Sequence, residues 1–136
     1  MNSNRKAAII VGLIAITIIT LMTACSSLLK QVSVDASSSG KQIEIAAGGS
    51  LAVTLDSNAT TGYSWELKGI GNPAILEKTD NKYEAPTSGL IGAGGKEVWT
   101  FKALKAGTTT LSMEYSQPWE GGQKGASSFN VAVVIK

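Results

Sequence analysis

Three short stretches hold the residues best suited to chemistry: Asn58-Ala59-Thr60-Thr61-Gly62-Tyr63, Gly89-Leu90-Ile91-Gly92-Ala93-Gly94-Gly95 and Gln117-Pro118-Trp119-Glu120-Gly121-Gly122. Adjacent threonines offer compact hydroxyls that both donate and accept hydrogen bonds. Glycines let a backbone approach another surface closely, and a tryptophan behind a proline is a large amphipathic group on a stiff stem. This is the chemistry of recognition. Catalysis has little to work with: the 136 residues contain no histidine and one cysteine, Cys25, and the acidic residues are scattered without a pairing or metal-ligand spacing. No enzymatic activity, cofactor or metal is expected. The glycine-rich stretch lacks the strand-to-helix context and the lysine of a phosphate-binding loop.

Each stretch also has a plain structural use. Asn58 to Gly62 could be a turn whose threonines cap backbone groups, the glycines a hairpin end, and Pro118-Trp119 a plug folded onto the domain. What decides their use is how they are positioned. Apolar residues alternate at Ile43 and Ile45, at Leu51, Val53 and Leu55, and at Tyr63, Trp65 and Leu67. They alternate again at Trp99, Phe101 and Ala103, at Leu111, Met113 and Tyr115, and from Phe129 to Ile135. Period two marks half-buried strands. Ile75 to Tyr83 is less regular and adds a strand or two. Short strands between Gly, Asn, Pro and Ser clusters predict an all-β, antiparallel sandwich over residues 41–136, with Trp65, Trp99 and Phe101 in its core. Each of the three stretches joins two expected strands, and loops at one end of a sandwich form a rigidly held surface.

Ahead of the domain, Met1 to Lys6 is polar and basic, and Ala7 to Ala24 carries no charge. This pattern is an export signal or an anchor. The run closes in Leu21-Met22-Thr23-Ala24-Cys25, which resembles the lipobox of bacterial lipoproteins, with Met22 where leucine is usual. That resemblance implies a signal peptide over residues 1–24 and a lipid on Cys25, at the extracytoplasmic side of a bacterial membrane. Eighteen apolar residues also reach the lower end of what spans a bilayer as an uncleaved anchor. Residues 25–40, rich in serine, read as a flexible tether. Of twelve basic residues, Arg5 and Lys6 lie in the signal, leaving ten against ten acidic residues. No basic patch remains to hold nucleic acid.

In order, the three stretches resemble the chagasin-like inhibitors of papain-family cysteine peptidases. That family's pattern is Asn-Pro-Thr-Thr-Gly-Tyr with a tryptophan two residues on, then Gly-x-x-Gly-x-Gly-Gly before an aromatic strand, then Arg-Pro-Trp. Here the proline is Ala59 and the arginine is Gln117; the rest of the pattern is present and spans the whole expected domain. The resemblance implies an immunoglobulin-like fold whose loops block the peptidase cleft reversibly and competitively, as a monomer and without covalent chemistry. Thr60 and Thr61 would lie nearest the catalytic cysteine and histidine, with Asn58 and Gly62 also peptidase-binding and Gly62 allowing the sharp return into the next strand. Gly89, Leu90, Ile91, Gly92, Gly94 and Gly95 would line one wall, and Pro118 and Trp119 the other. Ala59 removes some pre-organisation, and Gln117 removes a rim charge that would act on association rate and partner choice. The alternative is a non-inhibitory binding module, tethered to the cell envelope, that uses the same loops.

Overall fold

Every alternating run of the sequence forms a strand in the computed structural model, which describes residues 31–90 and 92–136. The signal segment, Cys25 and Ile91 lie outside the described residues. Eight strands follow in chain order: β1 Gln31–Val34, β2 Gln42–Ile45, β3 Ser50–Ser57, β4 Ser64–Ile70, β5 Leu76–Glu84, β6 Gly95–Ala103, β7 Gly107–Ser116 and β8 Ser127–Ile135. They make two four-stranded sheets, ordered β1-β3-β6-β5 and β2-β8-β7-β4.

The core between the sheets is built from the alternating positions. Leu51, Val53 and Leu55 of β3, Phe101 of β6, Leu111 and Met113 of β7, and Phe129 and Val133 of β8 are all buried. Trp65, Trp99 and Phe101 are buried too, as the pattern predicts. Each such large apolar side chain contributes about 1.5–3 kcal/mol through its removal from water. Longer-range order comes from the ladders: β3 and β6 pair antiparallel through all eight residues of β3, and β7 and β8 pair from Gly107 to Tyr115.

Two features differ from the sequence reading. The tether expected up to Gly40 is shorter, because Gln31–Val34 is already a strand and Asp35 caps a 3-10 turn over Ala36–Ser38. Val32 and Val34 alternate and pack partly against the core, but a two-residue period beside a serine run is too brief to stand out. The sheets are also not wholly antiparallel: β1 runs parallel to β3, and β2 parallel to β8. The chain leaves β1 for the other sheet at β2 and returns as β3, and two such crossings restore the original direction.

The irregular segment from Ile75 to Tyr83 gives one strand, β5, at the edge of its sheet; buried Ile75 precedes it, and within it only Leu76 is buried. An edge strand has no need to alternate strictly. Its charged residues, and the register shift between Lys78 and Asp80, discourage pairing with another chain.

Candidate functional site

The register of the ladders gathers the three stretches at one end. Ser57 pairs with Gly95, Glu84 with Lys96, Ser64 with Ser116, and Tyr115 with Ser127. The first loop, between β3 and β4, therefore crosses between the sheets; the second closes the β5–β6 hairpin and the third the β7–β8 hairpin.

Asn58 organises the first loop. Its side-chain oxygen accepts from the backbone N–H of Thr60 at 3.1 Å and from the Thr60 hydroxyl at 2.6 Å, capping a 3-10 turn over Ala59–Thr61. Its carbonyl accepts from the Thr61 hydroxyl at 2.7 Å. Both threonine hydroxyl protons are thus spent inside the loop, and what Thr60 and Thr61 present outward is acceptor lone pairs and methyl groups on exposed residues. The turn ends at Gly62, whose φ of 79° is left-handed and suits glycine.

Asn58 also joins this loop to its surroundings. Its Nδ2 donates to the Gly92 carbonyl at 3.0 Å, linking the second loop, and its backbone N–H donates to the Tyr115 hydroxyl at 2.9 Å. Beneath lie stacked aromatics: Tyr115 sits 5.3 Å from Tyr63 and 5.2 Å from Trp65, centroid to centroid.

In the second loop Gly89 and Gly92 take left-handed φ, and the Ala93 N–H closes a turn onto the Leu90 carbonyl at 3.2 Å. Leu90 stands out at 72% exposure. Gly94 is exposed and lies against Asn58. Gly95 is buried in β6, where a Cβ would collide with the Glu84 carbonyl and the Tyr83 ring. Packing alone thus calls for glycine at this position.

Trp119 in the third loop is half-exposed, and its ring lies so close over Gly62 that a Cβ there would collide with it. The Tyr63 hydroxyl donates to Gln123 Oε1, a second tie between the first and third loops. Within the third loop the Gln117 side chain accepts from the Gln123 N–H at 2.8 Å, and the Gln117 N–H donates to the Gln123 carbonyl at 2.7 Å. Lys124 Nζ donates to the carbonyls of Gln117 and Trp119. Exposed Pro118 precedes Trp119. The far arm is held where the Gly125 N–H donates to Ser116 Oγ, which donates to Glu114 Oε1 at 2.7 Å. That hydroxyl holds the Glu114 carboxyl below its ordinary range; burial opposes it, and Lys68, the Gly125 N–H and Lys124 act in the lowering direction.

Tyr115, Gln123 and Lys124 therefore join the candidate site, though the sequence did not single them out, and Tyr63, which closes the first stretch, is tied into it through Tyr115 and Gln123. Tyr115 was legible only as a strand residue, and a lysine seven positions after Gln117 in a glycine-rich turn carries no periodic signal. Among the described residues no three His, Cys, Asp or Glu side chains come together to hold a metal ion.

The chain is similar to known proteins in sequence and in fold. Chagasin of Trypanosoma cruzi is 34% identical over 95 residues, covering 68% of this chain and 86% of its own. Amoebiasin-2 of Entamoeba histolytica is 34% identical over 86 residues, covering 63% and 70%. In fold, the crystal structure of the cysteine protease inhibitor EhICP2 from Entamoeba histolytica superposes with a TM-score of 0.67 at 24% identity, over 78% of this chain and 95% of that one. PbICP-C, solved in complex with falcipain-2, superposes with a TM-score of 0.59 at 20% identity, over 79% and 99%. The sequence pattern of the chagasin family peptidase inhibitors, I42, matches residues 44–133, and the chain belongs to that family.

Proposed function

We propose that this domain inhibits papain-family cysteine peptidases by seating its three loops in the active-site cleft, reversibly and in competition with substrate. Membership of an inhibitor family, rather than of an enzyme family, supports the activity. The related fold of PbICP-C bound to falcipain-2 supports the class of partner. The observation that carries the mode of action is the mutual bracing of the loops. Asn58 bonds to Gly92, and Trp119 lies on Gly62, so the first loop is fixed on both sides. Loops ordered before binding lose less freedom on binding, which is where affinity is gained at a given interface area.

In this reading the acceptor-rich tip formed by Thr60 and Thr61 meets hydrogen-bond donors in the cleft. Leu90 and Trp119 supply apolar contact on either side. No peptide of the inhibitor lies across the nucleophile as a scissile bond, so the complex is not consumed. A lipid on Cys25 would hold the inhibitor, as a monomer, at the extracytoplasmic side of a bacterial membrane.

The test is a titration of the full chain in detergent against active-site-counted papain and a cathepsin L-type enzyme, with a fluorogenic peptide substrate. The expected result is inhibition that weakens as substrate rises. Steady cleavage of the folded chain, or no inhibition of either enzyme, would overturn it; in the latter case the loops would serve a non-inhibitory binding module.

A further inference from the structure

Glu97 breaks the pattern of its strand. It occupies a core-facing position of β6, two residues before Trp99 and four before Phe101, where the alternation calls for an apolar side chain. It is 7% exposed, the one charged side chain buried among the described residues, and none of the ion pairs among them involves it. A buried charge without a cation is costly unless hydrogen bonds satisfy it, and for stability alone a well-packed apolar residue would serve better.

Its hydrogen bonds show what the charge does. Glu97 Oε2 accepts from Ser57 Oγ at 2.7 Å and from the Trp65 backbone N–H at 2.9 Å. Ser57 is the last residue of β3 and Trp65 the second of β4, so one carboxylate oxygen grips both arms of the first loop, from opposite sheets. The Trp65 indole N–H reinforces the same junction by donating to the Asp56 carbonyl at 2.9 Å. Between these grips lies the seven-residue span that carries Asn58, Thr60, Thr61 and Gly62.

We infer that Glu97 is a positioning residue for the first loop: it touches no partner, and it fixes the separation and direction of the two arms that present Thr60 and Thr61. This rests on the reading above that the loop meets a peptidase. Bonds to a charged acceptor are stronger than neutral ones, and removing the acceptor leaves a buried N–H and a buried hydroxyl unpaired.

The experiment uses the full chain in detergent and the variants Glu97→Leu and Glu97→Gln, with Leu76→Ala as a control. Leu76 is fully buried and pairs with Ala103 at the opposite end of the ladder. Amide hydrogen exchange and the inhibition constant are both measured at a temperature where every variant is folded. For Glu97→Leu, exchange over residues 58–65 accelerates about tenfold or more while β7 and β8 are unchanged, and inhibition weakens about tenfold or more. Glu97→Gln keeps an acceptor oxygen and recovers inhibition to within about threefold of the parent. Leu76→Ala lowers the melting temperature and leaves both loop exchange and inhibition alone.

Uniform acceleration across the domain, or a glutamine variant no better than leucine, would overturn the assignment. If Glu97→Leu does not fold, Ser57→Ala removes one of the two donors and is read in the same way. The exchange arm does not depend on inhibition. If the parent chain fails to inhibit, the proposed function falls while the positioning role is still decided.

Discussion

Gly62 and Trp119 form the contact on which the first and third loops depend, and each can be weighed separately. Gly62→Ala places a Cβ at φ 79°, costing about 1–2 kcal/mol in backbone strain, and drives it into the Trp119 ring. In a Trp119→Ala background the collision disappears and only the strain is left. The two substitutions should therefore fail to add by at least about 0.5 kcal/mol in a denaturant-based double-mutant cycle. Trp119→Ala alone should weaken inhibition by about 2 kcal/mol, roughly 30-fold, with little loss of fold, since the ring is half-exposed. Asn58→Ala removes the cap of the turn and the bond to Gly92 together. Loss of a cap costs about 1 kcal/mol, and the expected readout is a lower melting temperature with a loss of inhibition larger than that stability change explains. At this scale the sequence showed the exposed loop residues but not their internal partners. Asn58, Thr60, Thr61 and Trp119 stood out because their types are unusual for a strand end. Glu97 and Gln123 did not, because their roles arise when distant segments meet, nor did Lys124, whose bonds stay within its own loop but follow no period; the burial of Gly95 was not legible because a glycine in the ladder and one in the loop look alike in a Gly-Gly pair.

The elements were legible wherever burial enforced a period. Phe129, Val131, Val133 and Ile135 of β8 alternate because their faces are sealed against the other sheet. β5 alternates poorly because an edge strand leaves both faces largely in water, and β1 went unseen because its two valines, only partly buried, sit beside a serine run. The third loop shows how an element is anchored in a way that no period reveals. Its far arm depends on the Glu114 carboxylate accepting from Ser116, which in turn accepts from Gly125. The carboxyl is held below its ordinary range in the fold, so its contribution is fully present above the unfolded value of about 4.3. As pH falls through the lower folded value, that contribution is lost. The third loop should therefore stay ordered at pH 5–6 and loosen below about pH 4. Trp119 fluorescence followed on acidification should show a transition that Glu114→Gln abolishes. An unchanged transition in that variant would assign the acid sensitivity elsewhere.

For the whole molecule, the balance of charge sets how partners meet. Beyond the signal segment ten basic residues face ten acidic ones, and the ion pairs Lys96–Asp56, Lys82–Glu84 and Lys136–Glu44 lie on exposed side chains. A chain without net charge gives little long-range steering, and Gln117 adds no cation to the third loop, whose tip carries the exposed Glu120. The remaining cation of that loop, Lys124, is turned inward onto the carbonyls of Gln117 and Trp119. Association with a peptidase should then be governed by the fit of ordered loops rather than by attraction at a distance. Raising salt from about 50 mM to about 500 mM shortens the screening length from about 14 Å to about 4 Å, yet the association rate should change by less than about threefold. Restoring a charge with Gln117→Arg should make the rate salt-dependent toward an acidic cleft rim, at the expense of the Gln117–Gln123 bond that orders the loop. Stopped-flow association at several salt concentrations measures both effects. A steep salt dependence in the parent chain would mean that Lys124 swings outward on encounter, so that the third loop acts as a charged contact and not as a pre-set one.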